Sequence, residues 1–329
     1  MIALSDDVGI AQHATYDIAN RHEGYCTDDV ARAFMVANAA SVYGRHRSDA
    51  LRLGRTYLAF LAHAQMPDGR FHNFMSYERT WLDEVGTPDS NGRAIWALGH
   101  GMRYAPNDGW RRMCRDLFER AIPNVAELGF IRSRCYAALG VAHAYDALDR
   151  SAPLLATVLA QIGDDLMDRY AACAGSDWEW FENELTYDNA RLPEALIRIG
   201  TVLGDVRYAE LGLRTLAFYE SVVVEDGAFV PIGNDGWYPR GGRRSRYAQQ
   251  PLEAAAFVDA TLAAESYTGD PRYRELAATG LAWFDGTNSR GAVMTANGGC
   301  CDGLEPLAVN RNMGAESTLA YVASALALT

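Results

Sequence analysis

The sequence predicts an all-α fold: one closed ring of six helical hairpins, with residues 1–329 forming a single domain. Three observations predict it. Apolar residues recur at i, i+3, i+4 and i+7 in eleven segments, the spacing of an amphipathic helix. Short blocks of sequence repeat at helix starts, as they do in stacked helical hairpins. The helices also sort into two alternating sets, one small and apolar nearly all round and one carrying charged stripes.

In chain order the periodic segments are Val30–Tyr43, Asp49–Gln65, Gly92–Met102, Trp110–Ile122, Ser133–Leu148, Leu154–Cys173, Asn189–Leu203, Tyr208–Val223, Leu252–Tyr267, Tyr273–Phe284 and Glu316–Leu328. Gly9–Ala19 is read as a twelfth helix, which completes six hairpins. Gly204-Asp205-Val206-Arg207-Tyr208-Ala209-Glu210-Leu211 returns as Gly269-Asp270-Pro271-Arg272-Tyr273-Arg274-Glu275-Leu276, and each copy opens a helix with an Asp near its N-cap. Thr27-Asp28-Asp29-Val30-Ala31-Arg32 is echoed by Thr186-Tyr187-Asp188-Asn189-Ala190-Arg191. After helices come Gly69-Arg70-Phe71, Gly227-Ala228-Phe229 and Gly291-Ala292-Val293, read as short strand-like loops on the crevice side. A closed ring needs no capping repeats, so one toroid accounts for the length better than two domains do.

The apolar set is Ala31–Tyr43, Ala94–Gly101, Tyr136–Ala147, Ala190–Ile199, Ala254–Ala264 and Ser317–Ala327, expected to be inner helices buried on both sides. Stripes such as Arg52/Arg55 and Arg111/Arg112/Arg115/Glu119 mark the outer set. Each inner helix begins among polar residues, near Asp28, Asp89, Arg132, Asp188, Gln250 and Ala315. Six such starts converging on one axis would make a polar crevice, and helix N-termini favour anions.

Five longer motifs sit at these starts. They are His22-Glu23-Gly24-Tyr25-Cys26-Thr27-Asp28-Asp29-Val30-Ala31-Arg32, Asp89-Ser90-Asn91-Gly92-Arg93-Ala94, Asp177-Trp178-Glu179-Trp180-Phe181-Glu182, Gln249-Gln250-Pro251-Leu252-Glu253-Ala254, and Asn312-Met313-Gly314-Ala315-Glu316-Ser317-Thr318. With the helix order, they resemble a bacterial six-hairpin glycosidase-like family often found near, or fused behind, family-4-type glycosyltransferases. The resemblance covers the chain from about Asp6 onward; Val30 departs from it, standing where Asn is more usual. It implies an (α/α)6 toroid, a carbohydrate substrate and a glycosyltransferase partner.

The chemistry suited to such a crevice is cleavage of a glycosidic bond. It needs one carboxyl kept protonated as acid and another ionised as base, and in an inverting enzyme the two stand roughly 6.5–9.5 Å apart. The catalytic candidates are Asp89, Glu253, Asp29, Asp188 and Glu316. Across a six-fold ring Asp28 or Asp29 would face Asp188, and Asp89 would face Glu253. Each has a structural alternative: Asp28 or Asp29 as the cap after Thr27, Asp89 as a cap, Asp188 held by Arg191 or Arg32, Glu316 satisfied by Asn312. Glu253, one turn inside an apolar helix, needs a partner or a raised pKa.

The candidates for substrate contact are Asp28, Arg93, Trp178, Trp180, Glu182, Tyr187, Trp237, Gln250, Asn312 and His22. Trp81 and Tyr238 belong with the loop aromatics, whose faces either stack on sugars or pack their own loops. Arg240, Arg243, Arg244 and Arg246 are either a phosphate or uronate clamp or a solvated rim.

Composition narrows the classes. All 30 basic residues are arginine, and the absence of lysine excludes Schiff-base chemistry, a Walker-type P-loop and the usual protein-kinase site. A net charge of −12 argues against a nucleic-acid or polybasic membrane surface. No apolar run is long enough to span a bilayer, and no secretory signal opens the chain, so a cytoplasmic location is expected. The six cysteines follow no zinc spacing and are read as reduced thiols; Cys300-Cys301 stands open to a redox or metal role. No metal and no cofactor is expected.

The functional expectation is an inverting, exo-acting glycoside hydrolase. A sugar 2-epimerase or isomerase on the same toroid is the alternative, and would use histidines to move the C2 proton. A phosphorylase, and a non-catalytic glycan-binding or glycosyltransferase-partner module, remain open.

Overall fold

The structure, a computed structural model, describes residues 1–42 and 46–329. Tyr43, the expected end of the first inner helix, lies outside the described residues. Eleven α-helices are present among the described residues. The chain divides into two compact units, Met1–Ala160 with Gly314–Leu319, and Gln161–Met313 with Ala320–Thr329.

The first unit contains α1 (Thr27–Ala40), α2 (Arg47–Ala64), α3 (Pro88–Tyr104), α4 (Asp108–Ala121) and α5 (Ile131–Ala147), together with the start of α6 (Pro153–Cys173) and of α11 (Ala315–Ala327). α3 is its hub and packs on α1, α4 and α5. The α3–α5 seam is built on glycine: a Cβ at Gly99 would fall 1.9 Å from the carbonyl oxygen of Gly140, and one at Gly140 2.4 Å from that of Ile95. Below the first turns, Trp96, Tyr136 and Leu139 form a buried cluster that Met35 packs against. α2 pairs with α1, and α4 with α3; Arg52, Arg55, Arg111, Arg112, Arg115 and Glu119 are exposed on these outer helices.

The second unit contains α7 (Arg191–Leu203), α8 (Val206–Val223), α9 (Pro251–Thr268) and α10 (Arg272–Ala282), paired α7 with α8 and α9 with α10, with α7 against α9. α9 is buried from Pro251 through Val258 and again at Ala260, Thr261, Ala263 and Ala264, so it presents no solvent face along most of its length. α7 and α9 each stop at a left-handed glycine, Gly204 and Gly269, the repeated Gly-Asp blocks of the sequence.

Two expectations are corrected. Gly9–Ala19 is not a helix: Ala14–Thr15 and Ile18–Ala19 form an antiparallel hairpin whose turn holds Tyr16 at φ +57°. Ile10 and Ala11 are buried through bridges to Ser5 and Tyr25, and that burial produces the helix-like apolar spacing. Of the three strand-like loops, Ala228–Phe229 pairs with Val224–Glu225 and Phe71 bridges Gln65, but Gly291–Val293 has no strand pairing among the described residues. No described helix is long and apolar enough to cross a membrane.

Candidate functional site

The first unit gathers charge at the start of α1. Cys26 is the N-cap, its sulfur accepting from the Asp29 amide at 3.4 Å, so the helix opens at Thr27 and puts Asp28 and Asp29 in its first turn. The macrodipole favours acids there. One turn on, Arg32 takes three of them. Its guanidinium lies 2.7 Å from Asp29, 2.6 Å from Glu316 at the start of α11 and 3.9 Å from Asp28. Asp29 is buried, whereas the side chains of Asp28 and Glu316 keep 23% and 35% of their exposure, so only the latter two have appreciable solvent contact. The second oxygen of Asp29 meets the Cys26 thiol at 3.1 Å. Burial pushes the Asp29 carboxyl up to about 6; Arg32 opposes that rise, and Glu316 and Asp28 add to it.

α3 contributes the neighbouring groups. Thr87 caps it and Pro88 is its first residue, so Asp89 is not the cap and its carboxylate accepts from the Ser133 hydroxyl of α5 at 2.6 Å. Arg93, one turn later and buried, ion-pairs with Asp28 at 2.9 Å. Its guanidinium also donates to the Tyr136 hydroxyl at 2.8 Å and lies 3.9 Å from that ring's centre. Asp28, Asp29, Asp89, Arg93 and Glu316 therefore share one unit, in which Arg32 pairs with Asp28, Asp29 and Glu316, and Arg93 with Asp28.

The second unit holds a different arrangement around Glu253. This carboxyl is 2% exposed and accepts from the Asp188 amide, the Asn189 amide at 3.4 Å, the Asn189 side chain at 3.3 Å and the Tyr219 hydroxyl at 3.0 Å. Burial pushes Glu253 up to about 7 and Asp188 adds to the rise, while the donors work against it. Burial and then Glu253 also drive the Tyr219 phenol well above its usual range. Asp188 sits at φ +49°, a conformation that a helix cannot contain, so α7 starts only at Arg191. Arg191 lies 3.4 Å from Asp188, 2.6 Å from Glu194 and 2.8 Å from Asp259. Asp188 is thus matched with Arg191, one of its two expected partners.

The aromatic candidates are mostly core. Trp178 is 3% exposed, packs on Phe218 and Tyr238, and donates to the Glu182 carbonyl at 2.7 Å. Trp180 is fully buried between Phe181, Phe218 and Tyr219. Their faces are covered by protein, which corrects their reading as sugar platforms. Trp237 is half-buried at φ +48° and donates to Asn234 at 2.9 Å. Tyr187 and Gln250 are half-buried, the latter preceding the first residue of α9. The Asn312 amide donates to Asp302 at 3.2 Å. His22 is exposed in a loop.

The arginine loop is not an open clamp. Arg240 binds the Cys173 carbonyl and Asp177, Arg244 binds the carbonyls of Val222 and Val230 with Glu225, and Arg246 binds Glu225. No group of three His, Cys, Asp or Glu is placed to hold a metal among the described residues, and all six cysteines are free thiols. Sequence reasoning missed Cys26, Tyr219 and Asp259. Cys26 had a signal in its place directly before Thr-Asp-Asp; the other two are mid-helix residues whose partners lie far along the chain.

Neither a protein-family profile nor a curated protein sequence matches the chain. Solved structures do match its fold. A sugar epimerase from a ruminal bacterium aligns at 13% identity and a TM-score of 0.75, over 99% of this chain and 93% of that one. A cellobiose 2-epimerase from Spirochaeta thermophila aligns at 13% identity and 0.72, over 99% and 90%. The GH76A α-1,6-mannanase from Salegentibacter sp. aligns at 12% identity and 0.65, over 99% and 94%. These likenesses show the fold: the chain is an (α/α)6 toroid protein, mostly helical, as its sequence periodicity predicted.

Proposed function

We propose that this chain is a carbohydrate-active enzyme that hydrolyses a glycosidic bond with inversion, Asp29 serving as the acid and Asp89 as the base that activates water. The observation that carries the reading is the divergence of carboxyl environments around Arg32. Buried Asp29 is pushed up to about 6, while Asp28 and Glu316 are more exposed and ion-paired to arginine. A buried carboxyl held above the ordinary carboxylate range suits a general acid. Asp89 stands on the adjacent inner helix with its own hydroxyl donor, Ser133, at 2.6 Å. Asp28, Glu316 and Arg93 would orient hydroxyls of the sugar. Glu253, tied to the backbone of Asp188 and Asn189, is assigned instead to holding the start of α7.

Likeness to sugar epimerases, a mannose isomerase, mannanases and cellulases supports a carbohydrate substrate and keeps epimerisation as the second reading. Of the histidines, His72 reaches the mouth of α1, its carbonyl accepting from the Thr27 hydroxyl at 2.6 Å. His22 is exposed, His72 stacks on Trp81 at 4.9 Å, and His100, near the last turn of α3, is pushed down to about 4 by burial and Arg103. Arg244 and Arg246 are engaged by Glu225 and, for Arg244, backbone carbonyls, which counts against these two as a phosphate clamp. A glycosyltransferase partner is carried by the sequence resemblance alone, and co-purification from the native cell would test it.

The deciding assay incubates the chain with manno-, gluco- and galacto-oligosaccharides, with and without phosphate. Products are followed by chromatography and anomeric NMR. Hydrolysis with inversion is expected, with kcat/KM reduced at least ~100-fold in Asp29→Asn and in Asp89→Asn. Because the acid must be protonated, wild-type activity should fall as pH rises through about 6. Full activity in both variants on a confirmed substrate would defeat the assignment, and C2 epimers as the only product would establish the second reading.

A further inference from the structure

The carboxyl of Asp29 is clamped from both ends inside one turn. Oδ1 receives the Arg32 guanidinium at 2.7 Å, a group that only donates, and Oδ2 meets the Cys26 sulfur at 3.1 Å. That sulfur also accepts from the Asp29 backbone amide at 3.4 Å, which fixes its position at the mouth of α1. The thiol is buried, and the strand holding it, Tyr25–Cys26, is paired with Phe74–Met75. The remaining charged groups about Asp29 are Asp28 on α1, Glu316 on α11, and Arg93 on α3, which ion-pairs with Asp28.

We propose that Cys26 is a positioning residue that holds the Asp29 proton on Oδ2 and reverses its own hydrogen bond when that proton leaves. A guanidinium N–H already occupies Oδ1, so a protonated Asp29 carries its hydrogen on Oδ2 and donates it to the sulfur, a weak acceptor. Once Asp29 is ionised, the S–H turns round and donates to Oδ2. Cysteine can serve both states without moving a heavy atom. An apolar residue would leave Oδ2 unpartnered in the buried ion, and a serine, as the stronger donor, would favour the ion. The inference rests on the proposed role of Asp29 as acid for its functional meaning, but the proton and the thiol can be read with no substrate present.

The test is infrared difference spectroscopy of the whole chain. The Cys26 S–H band is assigned by its loss in Cys26→Ser. Asp29 is followed by its carboxyl band, assigned by loss in Asp29→Asn. In the wild type the Cys26 band should move to lower frequency as pH rises through the Asp29 titration, and should stay still in Asp29→Asn. Cys26→Ser should lower the Asp29 midpoint by about 0.5 pH unit or more and Cys26→Ala should raise it by a similar amount. A merely structural cap predicts equal losses of Tm in both variants and no movement of either band. An S–H band in the wild type that is indifferent to the ionisation of Asp29 overturns the proposal, whether or not the Cys26 variants fold.

Discussion

Arg32 answers three carboxylates, and at the residue scale it is the most consequential side chain of the first unit. With the guanidinium gone, Asp29 would be a buried acid facing Asp28 and Glu316 with no cation within the same turn. Arg32→Met should therefore cost about 3–5 kcal/mol of stability at pH 7, the usual cost of breaking a buried pair from one side. The cost should be smaller at pH 5, where Asp29 can take up a proton instead of standing as an unpaired ion. Urea unfolding at the two pH values measures the difference, and an equal loss at both would show that the damage is packing alone. The acids themselves were legible in the sequence, because a carboxylate at the mouth of an apolar helix is conspicuous. Their partners were not. Cys26 is outside the usual set of capping residues, and Tyr219 meets Glu253 from 34 positions away, a pairing that only tertiary packing decides.

Outer helices were readable because the periodicity of burial survives wherever one face stays wet, and inner ones such as α9 as long runs of small apolar residues. Their first turns were less so. α1 starts three residues earlier than the apolar pattern suggests because polar first-turn residues follow an unusual cap, and α7 starts two residues later because Asp188 takes a left-handed conformation. The hairpin at Ala14–Ala19 has helix-like sequence spacing because bridged strands can bury residues at that interval. Close approach between α3 and α5 left a clearer trace in Gly99 and Gly140. A methyl group at Gly99 would meet the backbone of the facing helix, which no rotamer change can relieve. Gly99→Ala should destabilise by about 1–3 kcal/mol or more, although alanine is the better helix former. Gly129→Ala is the control, since nothing lies within 4 Å of its added Cβ. Denaturant midpoints of the two variants check it, and a Gly99→Ala protein as stable as wild type would mean that the seam opens without cost.

Over the whole molecule, the same chemistry that would give a hydrolase its acid also sets how stability follows pH. Asp29 in the first unit and Glu253 in the second are both held above the ordinary carboxylate range, at about 6 and about 7. Between the unfolded and the folded pKa the native chain keeps protons that the unfolded chain has released, so stability must fall as pH rises. For Glu253 the window runs from about 4.5 to about 7, and its full contribution is present below that window. Surface carboxylates such as Glu225, held low by Arg246 and Arg244, act with the opposite sign, but only at more acidic pH. Thermal unfolding should therefore show Tm declining from about pH 5 to pH 7, by an amount on the order of a few kcal/mol in stability. Glu253→Gln cannot titrate and should flatten much of that slope while losing some stability at pH 5, where the wild-type carboxyl is neutral and packed. A Tm that climbs across this range would place Glu253 among ordinary ionised carboxylates, with its four donors outweighing its burial.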